Sequence, residues 1–136
     1  MTSAFATLLE KEHRALDALF GRFLGAAAAG ELAAAREAIG AFDDELSRHT
    51  ASEEESVIPQ PEGHRLAPSE GEADGARLHR ELRLEHVQVR ELSAMIRWLL
   101  DEKADLEAAR RLAPNLARRW DAHTAREERQ LFPNLS

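Results

Sequence analysis

The chain has 136 residues, of which 43% are hydrophobic and 32% are charged, and its formal net charge is −7. This balance predicts a soluble globular protein with one core, and it excludes a disordered chain or a membrane span of ~20 apolar residues. The negative charge argues against a nucleic-acid partner, and the absence of cysteine excludes disulfides, iron–sulfur clusters and thiolate metal sites.

Strong helix formers dominate the chain, and apolar residues recur at steps of three and four, so the pattern predicts four helices. The first predicted helix spans about 3–29, with Ser3 as its N-cap and Gly30 placed to end it. The second spans about 31–58 and stops before Pro59. The residues expected to point inward are Phe5, Leu9, Leu16, Phe20 and either Phe23 or Leu24 in the first, and Ile39, Phe42, Leu46, His49, Glu53 and Val57 in the second.

Residues 59–75 are rich in proline, glycine and acidic residues, which is typical of an irregular connection. The third predicted helix spans about 76–100. The fourth spans about 104–132, where Pro114 is expected to kink the helix or to split off a short preceding one, and Pro133 ends it. The expected inward residues are His79, Leu82, His86, Val89, Ser93 and Ile96 in the third helix, and Leu116, Trp120, His123, Glu127 and Leu131 in the fourth.

Four helices of this length predict an all-α fold, an antiparallel up-down-up-down four-helix bundle that forms a single domain over 1–136. The N-terminus has no basic region before an apolar run, so we expect no secretory signal and a cytoplasmic protein without a membrane partner. We expect a monomer or a weak homo-oligomer.

One stretch of the sequence occurs twice in similar form. HTASEEESVIP, from His49 to Pro59, returns as HTAREERQLFP, from His123 to Pro133, and the repeat keeps a histidine, two glutamates and a proline. Each copy follows a helix that bears a Glu-His pair, EKEHRALDALF at His13 and RLEHVQVRELS at His86. The chain therefore consists of two copies of one helical hairpin, which can pair about a pseudo-twofold axis.

Histidine and glutamate four residues apart lie on one face of a helix, about one turn (~6 Å) apart, so both can reach a common centre. Histidine offers a neutral nitrogen, and glutamate offers oxygens that can bridge two cations ~3.5–4 Å apart. Nitrogen and oxygen donors without sulfur suit iron, manganese or zinc better than magnesium or calcium. The sequence therefore predicts a dinuclear metal site, with the candidate ligands His13, His49, Glu53, His86, His123 and Glu127.

A single H-x-x-x-E pair is usually a surface pair, but two copies on apolar stripes favour a metal site, because burying these groups without a cation is costly. His79 lies two turns (~10.5 Å) from His86 and is expected to be a core or supporting residue rather than a ligand. His64 is expected to be solvated. Four neighbouring glutamates are expected to be solvated or to support the ligands: Glu12, Glu54, Glu85 and Glu128.

These motifs resemble the hemerythrin-like domain, also called the HHE cation-binding domain, over nearly the whole chain. The resemblance implies a four-helix bundle around a non-haem di-iron centre with an oxo or hydroxo bridge. It also implies that His13, His49, His86 and His123 bind the metal and that Glu53 and Glu127 bridge it. Ferritin-type proteins fit less well, because their helices place glutamate before histidine in Glu-x-x-His.

The sequence departs from the oxygen-carrying hemerythrins at the third helix, where those proteins have two histidines four residues apart. Here the positions four residues from His86 hold Leu82 and Arg90. Fewer protein ligands leave freer access for O2, peroxide or nitric oxide, which weakens simple oxygen carriage as an explanation and favours peroxide chemistry or sensing.

Four hypotheses follow from the sequence. The first is a di-iron protein that binds or senses O2 or a related small ligand. The second is a di-iron enzyme that decomposes peroxide in a catalase-like reaction. The third is an iron- or metal-handling protein without redox turnover, with zinc or manganese as alternative metals. The last is a metal-free helical interaction module.

Overall fold

A computed structural model describes residues 3–58 and 70–135 of the chain. Its helices are α1 (Ala4–Ala28), α2 (Leu32–Ser56), α3 (Asp74–Asp101) and α4 (Leu106–Arg126), followed by a π-helical turn (Glu127–Leu131) and a short 3-10 helix (Phe132–Asn134). Helix α1 packs against α2 and α4, and α3 packs against the same two helices. The predicted all-α four-helix bundle is confirmed. No helix in the described part of the chain combines the length and apolar character needed to cross a bilayer.

The ends of α1 are those that the sequence predicts. The Ser3 side chain accepts a hydrogen bond of 3.0 Å from the Ala6 N–H, as an N-cap does. At the other end Gly30 adopts a φ of 75°, and the Glu31 N–H donates to the Ala26 carbonyl at 2.9 Å. This pairing satisfies carbonyl groups that the last helical turn leaves unbonded, and it needs a residue that tolerates positive φ.

The third helix begins at Asp74, two residues before its predicted start at 76. Just ahead of it, the buried Arg80 side chain draws Glu72 back against the helix, with an Nε–Oε2 distance of 2.9 Å. Residues 70–73 form a turn and an irregular stretch, as the composition of the predicted connection favours. Residues 59–69 of the predicted connection lie outside the described residues.

Of the two outcomes predicted for Pro114, a split of the fourth helix is wrong, because α4 continues through this residue. The proline ring removes one backbone hydrogen bond to residue 110. Since Pro114 is exposed, water can satisfy that carbonyl, and the helix is not interrupted.

The α-helical part of the fourth element ends at Arg126, earlier than the predicted end near Phe132. From Glu127 the chain widens into a π-helical turn, in which the Phe132 N–H donates to the Glu127 carbonyl. Pro133 has no N–H with which to continue a regular helix, and the chain tightens into a 3-10 turn instead.

Two apolar clusters fill the bundle, one on either side of a polar layer. Of the two residues that the sequence offered for the inward face of α1, Phe23 is buried, whereas Leu24 is 41% exposed. The larger cluster includes Leu16, Phe20, Phe23, Phe42, Leu46, Val89, Leu116 and Trp120. The smaller one contains Ala6, Leu9, Val57, Ile58, Leu82, Leu131 and Phe132. Along every helix the layer between them is where the predicted ligands lie.

Trp120 anchors the larger cluster through its indole N–H, which donates to Asp17 Oδ1 at 2.8 Å. We expect Asp17→Ala to lower the free energy of unfolding by about 1–3 kcal/mol, because it leaves the N–H of a buried indole without an acceptor. Urea denaturation measures this change. Asp17→Asn keeps an acceptor oxygen and should lose less, so equal losses in the two variants would contradict the hydrogen-bond explanation.

Candidate metal centre

The structure brings all six predicted ligands into one layer of the bundle core. None of them is more than 1% exposed. Each lies on its helix between residues of the two apolar clusters: His13, for example, lies between Leu9 and Leu16, and His86 between Leu82 and Val89. We call these six residues the ligand cluster: His13, His49, Glu53, His86, His123 and Glu127.

Within the ligand cluster the donor atoms form two groups of four. One group is His13, His49, Glu53 and Glu127, and the other is Glu53, His86, His123 and Glu127. In each group the donor atoms lie within 4.8 Å of one another. Both carboxylates belong to both groups, so each group combines two histidines with the same two glutamates.

The two carboxylates reach histidines of both hairpins. Glu127 Oε1 lies 3.0 Å from His13 Nε2, and its Oε2 lies 3.2 Å from His123 Nε2 and 3.3 Å from His86 Nε2. Glu53 Oε1 lies 3.3 Å from His49 Nε2 and 3.1 Å from His86 Nε2. All four histidines therefore present Nε2 to the centre of the layer.

The other ring nitrogen of each histidine is held by a second glutamate at the edge of the layer. We call these four residues the outer glutamates. The Nδ1–Oε distances are 2.9 Å for His13 to Glu128, 2.6 Å for His49 to Glu12, 2.9 Å for His86 to Glu54 and 2.7 Å for His123 to Glu85. An Nδ1–H that donates to a carboxylate leaves the Nε2 lone pair free for a metal and fixes the orientation of the ring.

Each outer glutamate is the sequence neighbour of one ligand but supports a histidine on another helix. Glu12 precedes His13 yet holds His49, and Glu54 follows Glu53 yet holds His86. Each EH or EE dipeptide thus contributes one member of the ligand cluster, which faces the centre of the layer, and one outer glutamate, which faces a neighbouring helix. Of the two roles that the sequence left open for these glutamates, the structure shows the supporting one.

Arg126 was not singled out from the sequence, yet it supports Glu85. Its Nη1 donates to Glu85 Oε2 at 2.7 Å, and its Nη2 donates to Glu81. Burial alone would raise the pKa of Glu85, but the hydrogen bonds and charges of His123 and Arg126 outweigh it and lower the pKa. Glu85 therefore stays ionised and able to accept the Nδ1–H.

Arg83 is a second residue that the sequence did not reveal. It is 4% exposed and donates to the Ile58 carbonyl, while its Nε and Nη1 have no hydrogen-bond partner in the described ranges.

Burial alone would raise the pKa of Glu54. The hydrogen bond to His86 and the positive charges of His86, Arg90 and Arg83 outweigh burial and lower this pKa. The outer glutamate of His86 is thereby kept ionised.

The donor atoms that face the centre are buried and incompletely satisfied, and this tests whether a cation fits. Within the described residues, His49 Nε2, His123 Nε2 and both carboxylate oxygens of Glu53 lack a hydrogen-bond partner. A buried polar atom without a partner costs about 1–3 kcal/mol. Lone pairs of nitrogen and oxygen that converge without hydrogen donors are the surroundings that a transition-metal ion requires. The residues present therefore fit a metal.

The surrounding carboxylates raise the pKa values of histidines in the ligand cluster. Burial alone would lower the pKa of His86, but the neighbouring carboxylates of Glu127, Glu53 and Glu54 raise the pKa well above 6.5. The pKa of His123 is also raised, since Glu127 and Glu85 outweigh the opposing effect of burial. Imidazolium groups neutralise part of the buried negative charge.

This has a consequence for pH. The histidines bind protons more tightly in the folded than in the unfolded chain, so their contribution is complete below pH 6.5 and is lost as pH rises through their raised pKa values. We expect the free energy of unfolding of the metal-free protein to fall as pH rises above 6.5. Urea denaturation across a pH series checks this, and a metal-free protein that becomes more stable over that range contradicts it.

The two ligand glutamates occupy equivalent widened turns. The Glu53 carbonyl accepts from the N–H groups of Val57 (2.8 Å) and Ile58 (2.9 Å), and the Glu127 carbonyl accepts from Phe132. Bonds that span five residues characterise the π turn, which often occurs at functional sites. The repeated hydrophobic-hydrophobic-Pro ending is the sequence signal for this feature.

The other histidines do not join the cluster. His79 is half-buried on α3, and neither four-residue group formed by the described residues includes it. Burial, together with the charge of Arg83, lowers the pKa of His79 and favours its neutral form. His64 lies outside the described residues.

The fold and the ligand cluster together define a four-helix-bundle domain whose core fits a metal site. The chain belongs to the family described as Hemerythrin HHE cation binding domain, which matches residues 4–135. This confirms the resemblance noted from the motifs. No match was found among curated proteins or among solved structures.

Proposed function

We propose that the protein is a non-haem di-iron protein that binds O2 or a related small ligand, such as nitric oxide or peroxide, in the bundle core. The observation that carries this proposal is the pair of four-donor groups that share Glu53 and Glu127. Two histidines and two carboxylates at each position supply fewer donors than the six of an octahedral ion, so positions remain for a small ligand. A bound iron pair would supply redox chemistry at those positions.

The chain's own residues contribute orientation and a dry environment. The outer glutamates hold the Nδ1 protons and keep the four rings turned inward. The two apolar clusters exclude water above and below the layer. In such surroundings the electrostatic interaction between a cation and the carboxylates is much stronger than in water.

Metal analysis and absorption spectra test the proposal together. The iron-loaded protein should contain two iron ions per chain, and its reduced form should develop near-ultraviolet and visible charge-transfer bands when exposed to O2. Protein that carries iron but stays colourless through reduction and reoxidation would overturn it in favour of metal handling without redox turnover. Zinc or manganese in place of iron would change the assigned metal, and a protein without bound metal would favour an interaction module.

A second function, peroxide decomposition, is favoured by the residues around His86. Leu82, four residues before it, is fully buried in the smaller apolar cluster, so this position adds no nitrogen donor. The two four-donor groups then have the same composition, with two histidines each. Oxygen evolution from hydrogen peroxide that disappears in Glu127→Ala would distinguish this enzyme from a protein that only binds its ligand.

The outer glutamates give a further prediction. We expect Glu12→Ala to weaken iron binding by about 10–100-fold, because the His49 ring loses the acceptor that orients it and strengthens its donor nitrogen. Competition with a chelator of known affinity measures the change. Glu55→Ala, which removes an exposed carboxylate from α2, serves as the control and should bind iron as the unchanged protein does.

A further inference from the structure

A pocket of about 190 Å³ lies between α3 and α4 and ends against the ligand cluster. It is lined by Glu85, Gln88, Val89, Arg119, Ala122 and His123. Since a cavity needs only about 10–15 Å³ to admit a water molecule, a diatomic molecule or hydrogen peroxide fits easily. His123 is itself a member of the ligand cluster, so a molecule in this pocket lies against a ring whose Nε2 faces the centre of the layer.

The internal repeat explains why this opening exists. Ala122 precedes His123, and the residue that precedes His49 in the first hairpin is Arg48. The Arg48 guanidinium bonds to Glu45 at 2.6 Å and lies 3.8 Å from Glu12, the outer glutamate of His49. A long charged side chain therefore lies beside the His49–Glu12 pair. At the matching place in the second hairpin, the methyl group of Ala122 leaves the space open.

The second hairpin also has an arginine beside the outer glutamate Glu85, but this arginine lies on the side of Glu85 away from the pocket. Arg126 approaches Glu85 together with Glu81, one turn before Glu85 on α3. The pocket lies on the side of Gln88 and Val89, one turn after Glu85. Arg126 thus holds Glu85 in place without filling the pocket.

A hydrogen bond crosses the groove at the outer end of the pocket. Arg119 Nη1 donates to Gln88 Oε1 at 3.0 Å, and both residues also line an adjoining surface groove of about 240 Å³ with Leu92 and Met95. The Arg119 side chain is exposed, and exposed side chains change rotamer in picoseconds to nanoseconds. This contact can open and close quickly.

We propose that the pocket at His123 is the route by which a small uncharged ligand, such as O2, nitric oxide or hydrogen peroxide, reaches the metal centre. The inference rests on the proposed function. Ala122 keeps the route open, and the Arg119–Gln88 bond closes its outer end. The first hairpin, where Arg48 lies beside the His49–Glu12 pair, is the slower side.

Nitric oxide binding to the ferrous protein, followed by stopped-flow absorbance, tests the route. Ala122→Leu fills the pocket and should slow association about tenfold, the factor that corresponds to 1.4 kcal/mol added to the barrier. Ala125→Leu adds the same side chain at an exposed position on α4 outside the pocket and should leave the rate unchanged. Iron content should be equal in both variants. Arg119→Ala should speed association.

Equal rates in Ala122→Leu and Ala125→Leu would overturn the route and leave the proposed function intact. Failure of the unchanged ferrous protein to bind nitric oxide would overturn the proposed function instead. A measurement that needs no metal separates the two failures: quenching of Trp120 fluorescence by dissolved O2 in a Trp98→Phe background. Ala122→Leu should reduce the quenching rate relative to Ala125→Leu, and an equal rate in the two variants would overturn the route.

Discussion

Replacing Glu127 with alanine should abolish tight metal binding at both positions of the core, not only at one. Glu127 contacts His13, His86 and His123 and belongs to both four-donor groups. Removing one partner from a buried charged cluster typically costs 3–5 kcal/mol, so we expect iron affinity to fall on the order of a thousandfold. Titration calorimetry with ferrous iron, together with metal content after dialysis, measures the loss.

The matched comparison for this variant is Glu53→Ala, which removes the other shared carboxylate. Both should affect two ions at once, because the pseudo-twofold relation places the two carboxylates equivalently. Glu55→Ala is the control for removing a negative charge nearby. If Glu127→Ala retained one tightly bound ion, the two positions would not share this carboxylate and the dinuclear proposal would be wrong.

Loading the metal-free protein with iron should raise its free energy of unfolding by about 5 kcal/mol and its Tm by roughly 15 °C, for two sites each saturated at 100 times Kd. The physical reason is charge. The carboxylates of Glu53 and Glu127 are buried side by side, and cations relieve their mutual repulsion more completely than protons on the histidines do. The unfolded chain has no such arrangement of ligands.

Thermal unfolding followed by circular dichroism, with and without iron under reducing conditions, tests this prediction. Magnesium at the same concentration should produce little change, because it prefers oxygen ligands and retains its waters. Glu127→Ala should show no stabilisation by iron. An unchanged Tm in the unsubstituted protein would show that the ligand cluster does not bind the ion.

The repeat made much of the site predictable. The H-x-x-x-E spacing places His49 with Glu53 and His123 with Glu127 on single helix faces, and the apolar stripes around them predict that these faces point inward. The structure buries all four residues together with His13 and His86. Local geometry was sufficient here, because each pair lies within one helix.

Other features of the molecule were not predictable from local patterns. The third helix begins at Asp74, two residues before its predicted start, and Arg80 binds Glu72 just ahead of it. Pro114 was expected to kink the fourth helix or to split it, and α4 is not split. The composition of the connection and the position of one proline do not by themselves fix where these helices begin and whether they continue.

By itself the sequence determined the four helices, the inward faces and the identity of the six candidate ligands. Helical periodicity and an internal repeat are visible in the order of residues along the chain. Only the tertiary structure decided that Glu12 supports His49 and Glu85 supports His123, and that Ala122 leaves a pocket beside one hairpin. These relations depend on which side chains of neighbouring helices meet. The packing between helices determines these side-chain contacts, and the spacing of residues within one helix does not predict them.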